Sequence, residues 1–168
     1  MQPADVIEVL EESAARALLA APIPARLAYT ALDQSPRVLP VGFHWTGTEF
    51  VVCADPDSAK VAAMRANPDI ALSLESPKER DMLLVRGRAQ ISLVDGIPDE
   101  YLLGARRLLQ RDQWRTFEAD VRSRYPRMAR IGVAPDWARV LDFDSQNPKA
   151  VAKRVRLRQL AQDCSRNS

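Results

Sequence analysis

The chain has 168 residues and a formal net charge of +2. That length suits one hydrophobic core, and the charge is too small to argue for nucleic acid from the total. Its 46% hydrophobic and 27% charged residues are those of a soluble globular protein, and no apolar run approaches the roughly 20 residues that span a bilayer. One histidine, His44, and two cysteines, Cys53 and Cys164, exclude a multi-histidine metal site and a disulfide framework. The N-terminus has no basic segment followed by an apolar block, so a cytoplasmic location is expected.

Asp5 to Ala21 reads as one helix. Val6, Val9, Leu10, Ala14, Ala17 and Leu18 form its apolar stripe, and Pro22 and Pro24 end it. Arg26 to Leu32 is the first strand. Asp33-Gln34-Ser35-Pro36 turns the chain, and a second strand begins at Arg37. Leu39, Val41, Phe43 and Trp45 alternate with Val38, Pro40, Gly42 and His44, a period of two. Thr46-Gly47-Thr48 is a tight turn in which Gly47 takes positive φ. Phe50 to Cys53 is a short apolar strand, broken by Pro56 and Asp57. Ser58 then caps a short helix.

Ile70, Leu72 and Leu74 alternate as a strand, Ser76 to Arg80 turns, and Asp81 to Leu93 is a long strand bent at Gly87. Asp99 to about Arg111 and Asp112 to Arg124 are helical, with Leu102, Leu103, Leu108, Leu109, Trp114 and Phe117 facing inward. Arg106, Arg107, Arg111, Arg115, Arg122 and Arg124 read most simply as a solvated face; receipt of a phosphorylated substrate is the alternative. Met128 to Val133 and Ala138 to Phe143 are strands separated by a Pro135-Asp136 turn. From Asn147 a basic helix carries Lys149, Lys153, Arg154, Arg156 and Arg158, read as a docked or solvated tail. About six strands joined in hairpin fashion predict a mainly β (α+β) domain, a small antiparallel barrel with peripheral helices. No GxGxxG run supports a Rossmann reading.

Two chemical readings attach to Ser58-Ala59-Lys60. A helix start exposes N–H groups at the positive end of the dipole, so with Lys60 it can hold a phosphate, and Arg37 can supply forked contact from the preceding strand. The other reading is an ordinary capped helix with solvated cations. His44 reads as a strand residue opposite Phe43; the functional alternatives are a proton donor or a haem ligand. Cys53 reads as a small core residue.

The ordered series Arg26-Leu27-Ala28-Tyr29-Thr30, Arg37-Val38-Leu39-Pro40-Val41, Phe43-His44-Trp45, Ser58-Ala59-Lys60, Asn67-Pro68-Asp69-Ile70-Ala71-Leu72-Ser73-Leu74 and Val85-Arg86-Gly87-Arg88-Ala89 resembles the pyridoxamine 5'-phosphate oxidase-like, FMN-binding split β-barrel family. The resemblance covers most of residues 25–145, leaving 146–168 as a basic tail of a single domain, 1–168. It implies a split antiparallel barrel and a homodimer with cofactor at the subunit interface. It also implies FMN-dependent hydride exchange with a nicotinamide or small organic substrate. In the site so implied, Arg37, Ser58 and Lys60 hold the phosphate, with Ala59 beside them. Val38, Leu39, Pro40 and Val41 run along the flavin, and Cys53 and Ala54 lie beneath it. No catalytic residue is assigned.

Ala59 stands where many relatives carry Arg, and Gly42 where the oxidase carries a basic residue. The oxidase's C-terminal substrate pattern has no match, which argues against pyridoxamine phosphate as substrate. Two alternatives stay open: a deazaflavin coenzyme in the same groove, its longer anionic tail served by Lys78, Arg80, Arg86 and Arg88, or a non-enzymatic flavin- or haem-binding protein. Nucleic-acid binding through the basic tail is a third, weaker class.

Overall fold

The computed structural model describes residues 1–76 and 81–142. The Ser76 to Arg80 turn, with Lys78 and Arg80, and the basic tail from Asn147 lie wholly or largely outside them. Seven strands form one antiparallel sheet: β1 Ala25–Thr30, β2 Pro36–Val41, β3 His44–Trp45, β4 Phe50–Ala54, β5 Asp69–Glu75, β6 Asp81–Asp95 and β7 Arg127–Asp142. Their order is β2-β1-β5-β6-β7-β4-β3. The sheet is open, with β2 and β3 at its edges, and this is the split-barrel arrangement expected.

Five helices attach to it: α1 Pro3–Glu11, α2 Ser13–Ala20, α3 Ala59–Ala66, α4 Asp99–Leu108 and α5 Trp114–Arg124. The curled sheet encloses the main core. Leu27, Phe50, Val52, Leu72, Leu74, Leu83, Val85 and Ile131 meet Leu18 of α2 and Val61 and Met64 of α3 there. A second cluster lies on the far side of β4 and β7, where Leu102, Val121 and Met128 pack with Cys53, Tyr101, Trp114 and Phe117. The same two strands thus bury both faces where Phe50–Ala54 pairs with Ala129–Val133, a stretch in which Arg130 is the one charged residue.

The period-two pattern holds in the packing. Val41 and Phe43 are buried, and Leu39 and Trp45 pack against the core with them. The backbone, however, leaves strand geometry at Gly42 and Phe43, so the expected single strand divides into β2 and β3. A close helix crossing occurs there: a Cβ on Gly104 of α4 would lie 2.8 Å from the Phe43 carbonyl oxygen.

The expected first helix is two. Glu12 is extended (φ −56°, ψ 144°) between α1 and α2. The break turns the second segment, so Ala15, Leu18 and Leu19 are buried and Ala17 is exposed. Gly47 takes φ 100°, as its turn requires. Gln34 takes φ 63°, held by Asp33, whose carboxylate accepts from the Ser35 amide at 3.0 Å and its hydroxyl at 2.6 Å.

The Pro135-Asp136 turn is not formed; β7 runs through it unbroken. Arg86 pairs with Trp137 and Gly87 with Pro135, so Asp136 is the extra residue of a bulge. A bulge accommodates a proline that cannot donate to the ladder. Gly87 is required opposite it, since a Cβ there would fall 2.5 Å from the Ala134 carbonyl oxygen. Leu103 and Leu108 also depart from expectation, being exposed on α4. There the helix turns only Leu102 and Gly104 fully inward.

Candidate functional site

Beneath α4 and beside the β2 edge lies a cleft of about 350 Å³, within the range of small-ligand sites. Leu39, Pro40 and Val41 form one wall, Val51 and Cys53 the floor, and Tyr101, Leu108 and Phe117 the roof, with Lys60 at its margin. Five of the ten residues expected at a cofactor therefore share one cleft. β2 is an edge strand, so one row of its backbone groups has no ladder partner among the described residues. Tyr101 and Phe117 stack with centroids 6.1 Å apart, giving the roof a flat aromatic face.

The start of α3 is left open. Ser58 occupies the cap position, but its hydroxyl donates to the Asp55 carbonyl at 2.7 Å and no side chain caps the helix. The Val61 amide donates to the Ser58 carbonyl at 3.0 Å, and those of Ala59 and Lys60 keep their capacity for an outside acceptor. Ala59 is exposed. Ala54 is buried on the core side of β4, facing away from Cys53.

Arg37 and Val38 line a different cleft, of about 790 Å³, with Tyr29, Ile70 and Arg86. Arg37 is held locally, its Nη2 3.2 Å from Asp33 Oδ2 and its Nε donating to Ser35 Oγ at 3.1 Å. The structure does not bring Arg37 and Lys60 into one cleft. Arg86 lies over the Trp137 ring at 4.8 Å, and Arg88 pairs with Asp69 at 3.2 Å. His44 lines a third cleft with Leu19 and Arg107.

The charged groups behind the 350 Å³ cleft are paired. Arg130 Nε donates to Glu100 Oε1 at 2.9 Å, and its Nη2 to Glu49 at 2.5 Å. Burial opposes ionisation of Glu100, but its own backbone N–H and Arg130 outweigh it and hold the carboxyl below its usual range. The Glu49 hydrogen bond raises Arg130 further still. Burial, with a smaller push from Glu100, drives the Cys53 thiol up to about 12. A thiol so placed is neutral near pH 7 and has no thiolate to offer as nucleophile. Burial likewise raises the Tyr101 phenol.

Sequence reasoning did not assign Glu100, Tyr101 or Arg130 to this site. Their signal was weak, because Glu100 and Tyr101 come from a helix far along the chain and Arg130 sits inside an apolar strand. Among the described residues no group of His, Cys, Asp or Glu could hold a metal ion, and no helix is long and apolar enough to cross a membrane.

The family model described as pyridoxamine 5'-phosphate oxidase matches residues 12–142. No curated protein matches the chain in a sequence search. Among solved structures, an F420 reductase is similar at 25% identity and a TM-score of 0.58, over 74% of this chain and 94% of its own. General stress protein 26 from Bacillus anthracis is similar at 16% identity and a TM-score of 0.57, over 79% of this chain and 94% of its own. A pyridoxamine 5'-phosphate oxidase-related, FMN-binding protein from Nostoc punctiforme is similar at 16% identity and a TM-score of 0.56, covering 82% and 86%. The last two, at that identity, speak for the fold alone.

Proposed function

Because the chain belongs to the pyridoxamine 5'-phosphate oxidase family, we propose that it is an oxidoreductase that binds FMN in the cleft between the β2 edge and α4. The observation that carries this reading is the meeting of an unpartnered edge backbone, an apolar aromatic-roofed slot and Lys60 at an uncapped helix start. Those are the three surfaces a flavin mononucleotide needs: hydrogen bonds for the polar edge of its ring, an apolar slot for the ring itself, and a cationic amide-rich end for its phosphate.

When bound, such a cofactor would supply the redox centre for hydride exchange with a nicotinamide or small organic substrate. The chain's own residues do the rest. Lys60 and the first-turn amides of α3, beside Ser58 and Ala59, neutralise the phosphate. The backbone of Leu39 to Val41 orients the polar edge, and Val51 and Cys53 support the ring from below. Tyr101, Leu108 and Phe117 exclude water. Arg130 keeps the charge of Glu100 matched, so the roof does not present an unpaired carboxylate to an anionic ligand. The working unit is a homodimer with the cofactor at its interface; the outer row of β2, where Val38 is 65% exposed, suits a surface completed by a second subunit.

The test is cofactor retention. Protein purified without added cofactor is loaded with FMN, desalted, and its visible spectrum recorded. Lys60→Ala is expected to lower FMN affinity tenfold or more, the scale of one charge-assisted phosphate contact. Unchanged retention would remove the site assignment.

A deazaflavin coenzyme is the second reading, supported by the likeness to an F420 reductase and by the larger neighbouring cleft, which Arg37 and Arg86 line together with Asp69 and Asp136. Competition between the two cofactors separates the readings. Arg37→Ala is expected to spare FMN and to weaken only the coenzyme with the longer anionic tail.

A further inference from the structure

Beyond the cofactor cleft, a second opening of about 490 Å³ lies between the end of α4 and the start of α5, lined by Arg106, Leu109, Gln110, Arg111 and Trp114. Leu109 lines both openings, so the two adjoin through one side chain. The electrostatics set this cleft apart from the arginines that are held in ion pairs. Arg26, Arg37, Arg88, Arg122 and Arg124 each have a carboxylate within 4.0 Å. Among the described residues, Arg106 and Arg111 have none. Arg106 is instead laid over the Trp114 ring at 5.4 Å, which fixes the plane of its guanidinium while leaving its N–H edge free. Two uncompensated guanidinium groups around an open cavity, one of them pre-oriented, form a receptor for an oxyanion.

We propose that this cleft is the docking subsite for a phosphate group of the molecule that exchanges hydride at the adjoining cofactor site. The proposal rests on the oxidoreductase reading for the identity of that molecule, but not for the binding of phosphate. Arg106 and Arg111 grip the phosphate, Gln110 offers an amide donor beside them, and Leu109 forms the threshold across which the rest of the substrate reaches the cofactor. The solvated face of α4 and α5 therefore divides. Arg122 and Arg124 are held in ion pairs at 2.9 and 2.8 Å, whereas Arg106 and Arg111 are available to a ligand.

Calorimetric titration of the full chain with pyrophosphate and with NADPH tests this, alongside FMN retention by the same preparations. Pyrophosphate binding that falls tenfold or more in Arg106→Ala/Arg111→Ala, and less in Arg106→Lys/Arg111→Lys, supports the subsite. NADPH binding more tightly than pyrophosphate, with the same arginine dependence, identifies a nicotinamide nucleotide as its source. NADPH binding no more tightly identifies a smaller phosphate ester. Equal binding by the unaltered chain and the double alanine variant, or no binding by the unaltered chain, overturns it. FMN retention does not use these arginines and is expected to persist in both variants. Loss of retention by the unaltered chain with phosphate binding intact would overturn the cofactor reading and leave the subsite standing.

Discussion

Cys53 stands on the floor of the cofactor cleft, yet its environment makes it inert. With its thiol raised to about 12 from an ordinary 9.0, Cys53 resists alkylation in the folded chain until the pH is strongly alkaline, whereas in the unfolded chain it reacts from about pH 9. Iodoacetamide labelling followed across that range is the check. The sign of the linkage follows: the native state keeps a proton the unfolded state loses, so the stability this group contributes is full below 9.0 and is lost as pH rises towards 12. Glu100 behaves in the opposite sense. Its carboxyl is held low, so its contribution is present above the ordinary carboxylate range and is lost on acidification. Arg130→Ala should weaken that acid-side transition and cost about 2 kcal/mol, less than a fully buried pair because all three side chains keep roughly a quarter of their surface in solvent; denaturant melts at pH 7 and pH 4 report both effects.

Helix α4 is the element on which the site depends, and two contacts seat it. Gly104 meets the Phe43 backbone, and Arg107 lies 4.5 Å over the Phe43 ring while donating to the Ala21 and Phe43 carbonyls. Gly104→Ala gains about 1 kcal/mol of helix propensity but drives a methyl group into a carbonyl, an overpacking cost of about 1–3 kcal/mol. A lower melting temperature and weaker FMN retention are expected together; a higher melting temperature with unchanged retention would show that α4 tolerates the shift. This seating also marks what could be read in advance. Strand and helix order, the Gly47 turn and the inward set Leu39, Val41, Phe43 and Trp45 were legible because they follow local periodicity and turn chemistry. The division at Gly42 and the unbroken path through Pro135 were not, because each is met by a distant partner. Gly104 meets the first, and Gly87 the second. Arg107, expected on a solvated face, is half-buried for the same reason. In the site, Lys60 could be found from its place in the first turn of a helix and Leu39 to Val41 from the family resemblance, whereas Glu100 and Tyr101 reach it only through tertiary packing.

At the scale of the whole molecule, the sheet is open because its edge strands β2 and β3 do not pair, and β6 and β7 are far longer than their neighbours. β5 pairs with β6 only up to Arg88, and β4 with β7 only from Ala129 to Val133. The homodimer proposed above is checked by sedimentation equilibrium, where a monomer at micromolar concentration would count against an interface cofactor. The open edge has a further consequence, for solubility. β2 begins with Pro36 and carries Pro40 one residue from its end, and neither residue has an amide hydrogen. The strand that offers carbonyl oxygens to a ligand is thereby a poor template for another strand, which would need a complete alternating row of donors. The same two rings that leave the edge available to a small molecule thus keep it from seeding β-stacked aggregates while the cleft is empty. Pro40→Val is expected to fold, to bind cofactor, and to precipitate sooner than the parent on storage without it, with turbidity and thioflavin fluorescence as the measures.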